Sequence, residues 1–215
     1  MIKKFFALVV LVLLSACATP VQRSETIPTY PVKPAATTAI AVVDLRSFVL
    51  NGKRKEGHEG IIRGAFGIPG LSSRSDESGE KPFALYLAGI LKESVENAGG
   101  KATIVTISKG TSLDDAVAAV AKSDSDAGIL TMMHESRYDT GAVTPEYSYY
   151  FDVVVLDRKG KRLVQKKFNG FDKDLEYPNL YRVHDWSAVI YKQKFDAILN
   201  DPEIKKALMA AAGSG

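Results

Sequence analysis

A disulfide framework is excluded at the outset, because the 215-residue chain contains one cysteine, Cys17, and that residue has no partner within the chain. Packing must supply the stability. A strong excess of one charge is also missing: 28 Lys and Arg stand against 25 Asp and Glu, a formal +3. Two of those cations, Lys3 and Lys4, lie in the first four residues, and taking 2 from +3 leaves +1 for the rest. That balance argues against a nucleic-acid footprint. The unbroken apolar run Phe5–Leu14 is too short to cross a hydrocarbon core of about 30 Å, which needs roughly 20 helical residues. The three histidines, His58, His134 and His184, stand neither at helix-face spacing nor beside a cysteine, so the signature of a zinc site is lacking. Asp124-Ser125-Asp126 is too sparse in carboxylates for a calcium loop and reads as a helix-to-strand turn. There is no Walker loop and no Gly-x-Ser-x-Gly. Ser72-Ser73-Arg74-Ser75-Asp76 has no histidine nearby in sequence to activate a nucleophile.

What is present begins at the N-terminus. Met1-Ile2-Lys3-Lys4 followed by Phe5–Leu14 has the order of a secretory signal, a short positive region and then an apolar one. It does not end in the usual Ala-x-Ala. Instead Leu14-Ser15-Ala16-Cys17 resembles the lipobox of bacterial lipoproteins, [LVI]-[ASTVI]-[GAS]-Cys, at all four positions. That resemblance implies cleavage after residue 16 and acylation of Cys17 on both its thiol and its new α-amine. Two or more acyl chains anchor stably where one does not. Ala18 in place of Asp at the next position implies sorting to the outer membrane, with the body in the periplasm or flipped to the cell surface.

Composition past the signal is that of an ordinary globular domain, 46% hydrophobic and 25% charged over the whole chain. Residues 17–38, with Pro20, Pro28, Pro31 and Pro34, read as the lipidated cysteine and an extended tether. Residues 39–211 read as a single α/β domain. Its first strand is Ala39–Leu45, apolar on both faces. Lys81-Pro82 opens a helix with Phe83, Leu87, Ile90, Leu91, Ser94 and Ala98 on one stripe, stopped by Gly99-Gly100. Thr103–Ile107 is a short strand. Ser112 and Asp115 begin a second helix, and Ala127–Met133 is a third strand. Tyr147–Leu156 and Lys161–Phe171 alternate around the turn Asp157–Gly160 as an antiparallel hairpin, and Asp185–Asn200 and a helix from Asp201-Pro202 close the chain. The predicted architecture is therefore β-α-β-α-β, then a hairpin and C-terminal helices, in a single mixed sheet with helices packed on it.

From Tyr147 to Leu208 the chain resembles the YajG-like group of small bacterial lipoproteins. The tyrosine-led strand, the turn with Gly before Lys, the basic strand ending in Asn169-Gly170-Phe171 and the helix opening Asp201-Pro202-Glu203-Ile204 carry the resemblance. The lipobox and proline-rich start agree with it. The long glycine-studded stretch between Asp44 and Pro82 departs from that group. The resemblance implies a lipoprotein with no catalytic residues to transfer.

Two stretches compete for function. Asp139-Thr140-Gly141-Ala142 matches the Asp-Thr-Gly-Ala of aspartic proteases, but the preceding Ser136-Arg137-Tyr138 is polar and no second copy exists, so a plain connection between strands is expected. In the loop 51–80, Gly57, Gly60, Gly64, Gly67 and Gly70 interleave with Ile61, Ile62, Phe66, Ile68 and Leu71. These five apolar residues are the candidate binding loop, with packing over a sheet edge as the plainer alternative. Lys53-Arg54-Lys55 beside them adds attraction to acidic lipid or polymer, or is simply solvated. The expected function is that of a non-catalytic outer-membrane lipoprotein, held to lipid through Cys17, that binds an envelope partner or itself. An auxiliary carrier of lipid or polysaccharide and, behind it, a hydrolase using Asp139 are the alternatives. Neither a cofactor nor a metal is expected.

Overall fold

The computed structural model describes residues 21–76, 79–141, 144–173, 175 and 183–213. Cys17 and its lipobox lie outside them. The fold class expected from the sequence is the one observed, a single curled mixed sheet with five helices packed on it.

The sheet is built on β1 (Thr37–Asp44), β2 (His58–Arg63), β3 (Pro69–Ser73), β6 (Lys101–Ile104), β7 (Ala127–Asp139), β8 (Glu146–Asp157) and β9 (Arg162–Asp172); the two-residue β4 (Ser75–Asp76) and β5 (Gly79–Glu80) pair apart from it. Strand β1 lies parallel between β6 and β7, and β7, β8 and β9 run antiparallel in turn. Because β7 has 13 residues and β1 has 8, β7 continues past the end of its parallel neighbour. That free flank is taken by β2, which pairs parallel at Tyr138 and Asp139, with β3 antiparallel outside it.

Strict alternation along β1 divides the core in two. Ile40 and Val42 join Ile129, Phe151, Val153 and Val155 beneath α2 (Phe83–Asn97), α4 (Val183–Leu199) and α5 (Pro202–Ala212). Ala39, Ala41 and Val43 join Leu130, Val154 and Leu156 on the face carrying α3 (Leu113–Ala121). The helix starts are chemically specified. Ser112 Oγ accepts the Asp115 N–H at 3.2 Å, and Asp201 Oδ1 accepts those of Glu203 and Ile204 ahead of Pro202 at the first helical position.

Two expectations change. The segment 17–38 is not a free tether throughout. Arg23–Glu25 form a 3₁₀ turn, Ile27, Tyr30 and Ala35 are buried, Arg23 pairs with Glu93 at 2.7 Å, and the Thr29 N–H donates to Asp196 Oδ1 at 2.6 Å. Three apolar side chains among four prolines were enough to strap this segment across α2 and α4, where burial outweighs the freedom lost. Residues 51–80, read as a loop, hold the β2–β3 hairpin, and the four-residue helix α1 (Ser47–Leu50) just precedes them. At Gly60 the glycine answers to crowding: a Cβ there would sit 2.6 Å from the Tyr138 ring and 2.4 Å from its carbonyl oxygen.

Candidate functional site

Strand β1 stops at Asp44 and β2 takes its place beside β7 from Gly60, leaving main-chain groups without a ladder partner at the exchange. Arg46 fills that gap. Its guanidinium is fully buried, forks onto the Asp44 carboxylate at 2.9 and 2.7 Å, and donates to the carbonyls of His58 at 2.5 Å and Glu56 at 3.0 Å. The rings of Phe48 and Phe83 lie 5.2 and 5.1 Å away. A second buried pair lies nearby: Glu59, without solvent exposure, accepts from Arg74 Nε at 2.5 Å and contacts His184 Nδ1 at 3.0 Å, while Arg74 rests 3.9 Å over Tyr86. Tyr138 and Tyr191 lie within reach of its charge and Tyr147 packs on Tyr191 at 5.8 Å, and burial drives all three phenols far above their ordinary pKa, so they remain neutral.

Residues 58 and 61 are three apart, and a regular strand would place them on opposite faces. A bulge between His58 and Gly60 inserts the extra step and brings both onto one cleft. That cleft, of ≈ 280 Å³, is lined by Phe48, Lys53, Arg54, His58, Ile61 and Arg137. His58 is only 3% exposed, and its Nδ1 has no hydrogen-bond partner among the described residues. Burial, then the charges of Arg46, Arg54 and Arg137, lower its pKa to about 4, so the ring is neutral at pH 7. In the run Lys53-Arg54-Lys55 only Lys55 has a carboxylate partner among the described residues, Glu80 at 3.1 Å.

The five apolar candidates do not form one surface. Ile62 packs against the larger core, Ile61 enters the cationic cleft, and Phe66, Ile68 and Leu71 stand in solvent, Phe66 wholly, Ile68 at 67% and Leu71 at 60% exposure. Phe66 occupies the turn Ala65–Gly67 with φ of 61°, a left-handed conformation that costs a bulky residue strain and holds its ring out at the hairpin tip.

Asp139 ends β7, and its described partner is an arginine, not a second aspartate. Arg63 grips it from β2 at 2.8 and 2.7 Å and the Gly141 N–H donates at 2.9 Å; burial raises its pKa, but these bonds outweigh that and hold the carboxyl below its usual range. Its role here is to clamp β2 to β7. No group of three or more potential metal ligands occurs among the described residues, and no described helix is long and apolar enough to cross a membrane.

Sequence reasoning passed over His58, Arg137 and Phe48 as cleft residues. The spacing of 79 residues between His58 and Arg137 carries no local signal; their meeting depends on β2 docking beside the far end of β7.

No family model matches the chain, and no curated protein matches it. Solved structures do resemble it in fold. A Xanthomonas campestris protein of the DUF330 family is 10% identical, with 86% of this chain and 90% of that one covered and a TM-score of 0.44. The lipoprotein GNA1162 of Neisseria meningitidis is 9% identical over 75% of this chain and 99% of its own, with a TM-score of 0.39. PelC of Paraburkholderia phytofirmans, solved as a dodecamer, is 11% identical over 79% and 91%, also at 0.39. At such identities and scores the likeness concerns the arrangement of elements and nothing more.

Proposed function

We propose that this chain is a lipid-anchored protein of the bacterial outer membrane, YajG-like in kind, whose folded body is a non-catalytic binding module. The observation that carries the reading is Leu14-Ser15-Ala16-Cys17 directly after a charged and then apolar N-terminus. Acyl chains on Cys17 hold the chain to lipid, and Ala18 directs it to the outer membrane. The body then works beside the bilayer: since residues 23–35 are strapped to the domain, only a handful of residues separate its surface from Cys17.

The docking element in this reading is the tip of the β2–β3 hairpin. Three apolar side chains exposed on the hairpin, Phe66 at its turn and Ile68 and Leu71 on the way into and along β3, lose water only when another surface covers them. Full exposure of Phe66 favours docking onto an envelope protein with an apolar cup over carriage of a lipid or polysaccharide inside this domain.

Metabolic labelling with radioactive palmitate tests the anchor. Wild type incorporates label and starts at Cys17, whereas Cys17→Ser takes up none and accumulates as precursor; an unlabelled wild type overturns the reading. For the hairpin, a photocrosslinker at residue 66 in intact envelopes should give a discrete adduct that Ile68→Lys abolishes. An adduct of twice the chain mass would identify a second copy as the partner, and no adduct would reject docking through the tip.

A further inference from the structure

We infer that the cleft between α1, β2 and β7 is a binding site for a phosphate monoester, held by Lys53, Arg54 and Arg137 over the buried ring of His58.

Charge count is the first ground. Three cations line one cleft of ≈ 280 Å³, and among the described residues the one carboxylate paired with any of them is Glu135, 3.8 Å from Arg137 and therefore loosely held. Glu59 lies next to His58 in the chain but is engaged by Arg74 and His184. Three positive charges against one negative leave two uncompensated, which matches the charge of about −1.5 to −2 that a phosphate monoester carries at pH 7. A lone carboxylate would be satisfied by one arginine fork and would leave the other two cations unanswered.

Hydrogen bonding is the second. The Arg54 guanidinium reaches only the carbonyl of the adjacent Lys53, at 2.9 Å, and the Lys53 ammonium has no partner among the described residues. His58, its ring 97% buried and its Nδ1 sealed and unpaired, forms the closed floor of the cleft. Phe48, edge-on to His58 at 5.5 Å, and Ile61 form the apolar wall that the organic part of an ester would touch.

Construction is the third. The bulge in β2 is what turns His58 and Ile61 to the same side, and Arg137 comes from the stretch of β7 that follows a second register shift, between Met133 and Glu135. Such bulges re-aim side chains at sites. The inference goes beyond the anchoring proposal and does not need Cys17 to be acylated.

The monoester has two sources, a free small molecule or the head group of phosphatidic acid in a membrane. Full-length protein in an uncharged detergent is titrated with sn-glycerol 3-phosphate, with calorimetry as the readout. In a second arm it is mixed with phosphatidylcholine vesicles, with or without phosphatidic acid, and amide exchange is read over residues 53–61. Binding in either arm supports the site. Protection by phosphatidic acid alone assigns it to lipid, and binding of glycerol phosphate alone to a soluble ester. Arg54→Gln/Arg137→Gln changes two exposed side chains and should bind about tenfold more weakly or worse, the value of a single charge-assisted contact. Lys159→Gln/Lys206→Gln, with the same change in net charge elsewhere, should bind as wild type. No binding in either arm, or equal loss in the two double variants, overturns the proposal.

Discussion

Replacing Arg46 with methionine removes a fully buried cation of similar length and leaves the Asp44 carboxylate, 3% exposed, facing only the N–H of residue 46 at 3.1 Å. Breaking a buried pair from one side costs about 3–5 kcal/mol, because an uncompensated charge stays in the interior. The carbonyls of His58 and Glu56 lose their donors as well. Against a total stability of about 5–15 kcal/mol the loss is severe. For a domain of this size, where 1 kcal/mol moves Tm by about 2–4 °C, Tm should fall by about 6–20 °C. Urea and thermal melts followed by circular dichroism measure it. Arg46→Lys retains the charge but not the fork, and should fall between the two. The double variant Asp44→Leu/Arg46→Met buries no lone charge and should lose less than the sum of its single changes. If Arg46→Met lies within about 1 kcal/mol of wild type, or if the double variant is strictly additive, Arg46 does not stitch β1, β2 and β7 together.

Three further outcomes are expected. His58 titrates at about 4 when folded and near 6.5 when unfolded, so below pH 6.5 the unfolded state binds more protons; stability should decline from pH 6.5 toward 4 by about 3 kcal/mol more in wild type than in His58→Gln, and parallel pH profiles would contradict the burial of a neutral ring. Phe66→Gly relieves a positive φ at a wholly exposed site and should raise stability by about 1 kcal/mol in the same melts, so a loss would mean the ring is packed in solution. Tyr30→Ala should cost about 3 kcal/mol if residues 23–35 are strapped to α2 and α4, and an unchanged midpoint would restore them to a free tether.

Periodicity and caps made the helices at 83–97, 113–121 and 202–212 legible, together with β1, β7 and the β8–β9 hairpin, since each is written within a span of ten or so residues. The hairpin at 58–73 was not legible. Its alternation is broken by a bulge and by glycines, of which Gly60 clears Tyr138, 78 residues away. The extension of β7 to Asp139 was missed for a related reason: a register shift after Met133 reverses which residues face the core, so Ser136-Arg137-Tyr138 looks polar in a row while Tyr138 is buried beneath Trp186.

The sequence by itself determined the order of elements, the mixed sheet and the lipobox-like N-terminus, because local propensity, period and a contiguous four-residue pattern need no partner at a distance. Tertiary structure alone decided that β2 replaces β1 beside β7, that Arg46 closes the exchange, and that Lys53, Arg54, His58 and Arg137 share a cleft. Side-chain direction in a strand reverses with every residue, so one bulge, set by long-range pairing, determines which groups meet.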